Sequence, residues 1–314
     1  MGHIIRRKHL GWALAALLGL GPAQSALARA FHGYTPNPTL VDLLLDTEQA
    51  VIARPDAAGL YDTMETLIGP NLGSLGVTAS PAFREATHRD ATATVLLVRD
   101  GAYGPWIEAT VLDDPFRRVV RTVVEKQSAW QLGRDADRAR LFAALINDPN
   151  PDLQRLALQE LDRLPYASLK EVDIPPLRGL LDNIEAGGLD QRPIRILLAG
   201  LSNDLRFAPV LAQALHEAVL QDKAYLGAYV TALIELQGQP AVEAIVAHYL
   251  TPGQMTQTVE DKMLNALALQ YRSARGATRR SVASEVAALL RRHPDMADRV
   301  IAQFGPQAGG RLLP

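Results

Sequence analysis

Hydrophobic positions in the chain follow two different rhythms, and the change between them falls near Asp135. Between Gln49 and Glu125 the apolar residues come in short runs bounded by Gly, Pro or Asp: Gln49 to Ala53, Leu60 to Ile68, Thr92 to Arg99, Trp106 to Leu112 and Arg117 to Glu125. Runs of this length that end at turn residues predict strands. Thr110-Val111-Leu112 and the Val119 to Val124 segment add the β-branched enrichment that suits a pleated surface. Leu40 to Leu45 predicts a short helix, Gly69, Pro70, Gly73 and Gly76 mark residues 69 to 81 as a long loop, and Asp113-Asp114-Pro115 reads as a hairpin turn. Several short strands in succession predict a small antiparallel barrel or sandwich.

Beyond Asp135 the spacing becomes three and four residues, as a helix requires. Helices are expected near 136–147, 150–164, 175–186, 191–203, 207–220, 224–237, 239–250, 257–273, 278–292 and 295–304. Leu158, Leu198, Leu233 and Leu267 recur at intervals of 40, 35 and 34 residues, and Pro176, Pro209 and Pro240 open the helices between them. Proline suits the first turn, where its missing N–H would lack a partner anyway. The stretch from Ala144 to Leu161, ALINDPNPDLQRLALQEL, resembles a HEAT-repeat hairpin: a helix ending in Asp-Pro, a short turn, then a helix with Arg and Ala on its inner side. The resemblance covers residues 136–304 and implies an α-solenoid that serves as a binding scaffold. On Asp46 to Arg54, Met64 to Gly69 and Val95 to Asp100, the first half resembles the OB-like β domains of secreted bacterial proteins.

The expected architecture is therefore α+β with two domains: an extended arm at 29–39, a small OB-like antiparallel β-barrel or sandwich at 40–127, a linker at 128–135 and a HEAT-like superhelical array at 136–314. Residues 1–28 carry the marks of a removable export signal. Arg6, Arg7 and Lys8 precede the apolar run Gly11 to Gly21, which falls short of the roughly 20 residues that span a bilayer; Ala26-Leu27-Ala28 then offers a cleavage site, with Ala30 as the alternative. Sec and twin-arginine routes both stay open. The expected location is the periplasm or the extracellular medium, in soluble form.

Composition narrows the chemistry. No cysteine is present, which removes disulfides, thiolate metal sites, cysteine nucleophiles and lipoprotein anchoring. Formal charge is −2 over the whole chain and −5 after cleavage, with 29 basic residues against 34 acidic ones. From Arg272 onward eight Arg face only Glu285, Asp295 and Asp298, so this end is +5 while residues 29 to 271 carry −10.

No catalytic motif emerges. The five histidines outside the signal (32, 88, 216, 248 and 293) are far apart in sequence. His88-Arg89-Asp90 imitates a kinase catalytic loop, but Val95 stands where the metal-binding Asn belongs, and Gly73-Ser74-Leu75-Gly76 lacks the spacing of a nucleophile elbow. The expectation is a non-enzymatic periplasmic interaction or scaffold protein without cofactor or metal. The alternative is a hydrolase or other enzyme with its site in the cleft between the β domain and the repeats. Arg279, Arg280, Arg291 and Arg292 are the expected partner-binding residues, facing an acidic protein or anionic lipid headgroups rather than nucleic acid or an inserted membrane; Trp130 is expected to pack a domain junction. Oligomeric state stays open.

Overall fold

The computed structural model describes residues 38–312 except 102, 134, 178–187, 189, 190 and 252. The expected export signal and cleavage site, most of the expected extended arm, His32 and most of the helix expected at 175–186 lie outside the described residues.

The described chain is α+β. In the first part the elements are helix α1 (Leu40–Asp46), strands β1 (Gln49–Pro55), β2 (Leu60–Ile68) and β3 (Ser74–Thr78), helix α2 (Pro81–Arg89), strands β4 (Thr94–Arg99) and β5 (Ile107–Leu112), and helices α3 (Asp114–Gln131), α4 (Asp135–Ala144) and α5 (Pro151–Arg163). A one-turn helix α6 (Tyr166–Leu169) leads to α7 (Arg192–Leu201), α8 (Phe207–Leu220), α9 (Leu226–Gln237), α10 (Gln239–Tyr249), α11 (Gln257–Ser273), α12 (Gly276–Arg292), a 3-10 turn (Pro294–Met296), α13 (Ala297–Phe304) and α14 (Pro306–Leu312). No helix among the described residues is long and apolar enough to cross a membrane. Contacts divide the chain into two units: residues 36–164 with 171–178, and residues 165–170 with 179–314.

In the first unit the strands form one antiparallel sheet in the order β3-β2-β1-β4-β5. Central strand β1 is buried on both faces, as its unbroken apolar run requires. Val51, Ala53, Tyr61, Val95 and Leu97 build one core face, against which Phe83 of α2 and Trp106 pack. Alternation sends Ala50, Ile52, Leu96 and Val98 to the opposite face, and all four are buried. Register shifts in the β1–β2, β2–β3 and β4–β5 ladders curl the sheet. Across the curl, the Glu108 carboxylate on β5 accepts from Tyr61 Oη (2.6 Å) and from the Ser80 amide (2.9 Å).

Three expectations fail here, each for a local reason. Residues 117–125 are helix rather than strand, inside α3. Asp113 caps this helix, its side chain accepting from the Phe116 amide at 2.8 Å, and Pro115 occupies the first turn, so the expected hairpin turn is a helix start. Phe116, Val119, Val120 and Val123 are all buried; their spacing of three, four and seven gives one helical stripe that outweighs the β-branched preference. The loop at 69–81 contains β3, whose Leu75 and Val77 turn towards the core while their neighbours are exposed. Helix α2 was not foreseen.

Helices α1, α4 and α5 bury apolar residues in this unit and are also linked to one another by charge. Asp42 closes a capping box with Thr39 at the start of α1. Its carboxylate also meets Arg138 of α4 (3.3 Å) and Arg163 of α5 (3.1 Å). Arg138 further pairs with Glu160, which is 1% exposed. Burial pushes the Glu160 carboxyl up from its ordinary range, and Arg138 restrains that rise.

In the second unit, α7 packs on α9, α9 on α11 and α11 on α13, while α10 packs on α12. Leu198, Leu233 and Leu267, the members of the spaced set in this unit, are all buried. The α7–α9 contact is close because both helices have small residues at the crossing: a Cβ on Gly200 would lie 2.4 Å from Ala232 Cα.

Candidate functional site

Helix α12 buries Val282, Val286, Leu289 and Leu290. At 3.6 residues per turn, Arg280 and Arg291 stand about three turns apart on the opposite, outward side. Arg279, Arg280, Arg291 and Arg292 are exposed, as is Arg275 just before the helix. Among the described residues none of the five is within ion-pair distance of a carboxylate. Arg279 lies over the Tyr271 ring, 4.8 Å from its centroid, and this holds the guanidinium by a cation–π contact. Tyr271 in turn packs on Phe304 at 5.7 Å. Arg291 and Arg292 occupy the last turn, where cations complement the helix dipole.

The remaining C-terminal arginines divide differently. Arg299 is bound to Glu260 and, at 2.8 Å, to Asp261. Arg272 donates to the Gln303 carbonyl at 3.1 Å, and burial lowers its affinity for a proton. The basic surplus thus separates into arginines tied to neighbouring groups, Arg272 and Arg299, and an uncompensated set on and beside α12.

Trp130 is 5% exposed in the last turns of α3. Its ring packs 6.4 Å from Phe142 of α4, with the Arg138 guanidinium 6.0 Å away. These partners belong to the first unit, so Trp130 cements α3 to α4 within one unit rather than lying in a linker.

Sequence reasoning missed a buried polar cluster in the second unit. Oε1 of Glu235 accepts from Tyr166 Oη (2.6 Å), Lys170 Nζ (2.7 Å) and Gln270 Nε2 (2.8 Å). Gln270 Nε2 also reaches Tyr166 Oη at 3.1 Å. Burial, then the Glu235 charge, raises the Tyr166 hydroxyl well above its ordinary value, so it stays protonated and acts as a donor. Three donors converging on one oxygen fix α6, α9 and α11 together. The only sequence signal is a set of polar residues on apolar helices, separated by as many as 104 positions.

The other sequence candidates remain apart. His88 and Arg89 end α2, and Asp90 accepts from the Thr92 amide and hydroxyl at 2.7 Å, which closes a local turn. Those bonds lower the Asp90 carboxyl below its usual range. Ser74 begins β3. Among the described residues no group of three or more His, Asp or Glu side chains is placed to hold a metal. Comparison with known protein families, curated proteins and solved structures finds no match to this chain.

Proposed function

We propose that this chain is an exported interaction protein without catalytic activity, whose helical part is a HEAT-like array that presents the α12 arginines to an acidic protein partner. The observation that carries this reading is the exposed set Arg275, Arg279, Arg280, Arg291 and Arg292, to which the described residues bring no carboxylate. Fields from such an uncompensated patch steer a negatively charged surface towards it and set its orientation. The stacking of α7, α9, α11 and α13 supports a solenoid, in which each helix pair adds surface to a continuous face. The curled five-stranded sheet supports an OB-like head in the first unit. The apolar run and small-residue cleavage site at the N-terminus support export into the periplasm.

The test is a charge reversal. Arg279→Glu, Arg280→Glu, Arg291→Glu and Arg292→Glu together should abolish cross-linked recovery of a partner from periplasmic extract while the variant still unfolds cooperatively. Undiminished recovery by the folded variant would remove the arginine face from the interaction, and substrate turnover by the isolated chain would overturn the non-catalytic reading.

A further inference from the structure

A surface hollow of about 160 Å³ lies between the β1–β2 turn and helix α2, lined among others by Arg54, Asp56, Gly59, Arg84, Thr87 and His88. Pockets for drug-sized ligands run to roughly 300–1,000 Å³, so this one suits a small ligand. Three basic side chains border it against a single carboxylate, and that carboxylate is committed elsewhere: Asp56 Oδ1 accepts from the Ala58 and Leu60 amides, both at 2.8 Å, and thereby shapes the turn.

Of the three basic groups, Arg54 is anchored by hydrogen bonds. Arg54 donates to the carbonyls of Ala91 and Thr87 at the end of α2, the latter at 3.2 Å, so its charge is held in place. Arg84 is exposed and, among the described residues, has no carboxylate within ion-pair distance. Its stem lies beside the turn at Gly59, whose φ of +82° favours glycine. His88 follows Arg84 by four residues and shares its helix face. Donors from two elements therefore converge on one small space. The guanidinium fork of Arg84 matches the paired oxygens of a tetrahedral oxyanion, and with the fixed Arg54 charge and an imidazole beside it the hollow favours three acceptor oxygens over the two of a carboxylate.

We propose that this hollow binds a phosphate group, either free phosphate or the phosphate end of a small monoester. The site is in the first unit and is independent of the α12 reading. The full chain is titrated with sodium phosphate and, separately, with glycerol 3-phosphate at constant ionic strength and neutral pH, by calorimetry and by amide shifts of residues 54–60 and 84–91. Saturable one-to-one binding is expected, at least tenfold weaker in Arg84→Gln and His88→Gln and unchanged in Arg280→Gln. Saturation by phosphate alone identifies the free ion, and clearly tighter binding of glycerol 3-phosphate identifies an ester; both support the site. A non-saturating response to both compounds, or an Arg84→Gln variant of unchanged melting temperature that binds like wild type, would overturn it.

Discussion

Leu233 illustrates how much one side chain contributes here. It is 4% exposed in α9, the helix that packs against α7, α8, α10 and α11, so Leu233→Ala should cost about 2–5 kcal/mol. Chemical denaturation would check this, and an unchanged midpoint would contradict the packing. Glu108 makes a prediction in pH. Burial opposes its charge, but the hydrogen bonds from Tyr61 and Ser80 prevail and hold the carboxyl below its ordinary range. A carboxyl with a depressed folded value stabilises the fold above the unfolded value, about 4.3 for Glu, and loses that contribution as pH falls through the folded one. Melting temperature followed from pH 6 downward should therefore fall on acidification, and Glu108→Gln should flatten part of that fall. Identical pH profiles would show that Glu108 does not couple the sheet edges to stability.

At the scale of elements, the capping of α3 is the clearest case. Asp113 caps α3 through one oxygen and accepts from the Asn150 side chain through the other, at 2.8 Å, while Asn150 itself caps α5. Asp113→Ala should destabilise the first unit by about 1–2 kcal/mol, read as a shift in midpoint at unchanged denaturant slope; a loss within error would mean that solvent replaces the cap. The same segment explains what the sequence conceals. Val119, Val120, Val123 and Val124 satisfy a strand by composition and a helix by spacing, and the cap and Pro115 join the buried stripe in deciding for the helix. By contrast, strand β2 and helices α8 to α11 could be read within a residue or two, because long regular spacing and proline starts leave little ambiguity. Arg280 and Arg291 were legible as sharing a helix face, with Arg279 and Arg292 flanking them, since that inference needs only the helical period. Their lack of carboxylate neighbours, and the diversion of Arg299 into an ion pair, depend on residues distant in sequence. The Glu235 cluster and the hollow beside Arg84 were invisible for the same reason.

For the whole molecule, charge separation is the property with the widest reach. An exposed basic face works through fields that salt screens over about 10 Å at 0.1 M. Partner association through α12 should therefore slow as ionic strength rises from about 0.02 to 0.5 M, with dissociation much less affected. Stopped-flow or surface-based kinetics would show this, and an association rate indifferent to salt would exclude the arginine face as the steering element. Unfolding of the isolated chain should respond far less, because its internal pairs Arg138–Glu160 and Arg299–Glu260 are largely shielded from solvent.

The Glu235 cluster also places events in time. Tyr166 and Lys170 reach the ribosome exit first, yet their tie to α11 requires Gln270, which is 104 residues behind Tyr166. At about 5–20 residues per second, that gap is roughly 5–20 s of synthesis during which the one-turn helix α6 has no finished site to dock into. The second unit therefore cannot complete its interior until α11 has been made.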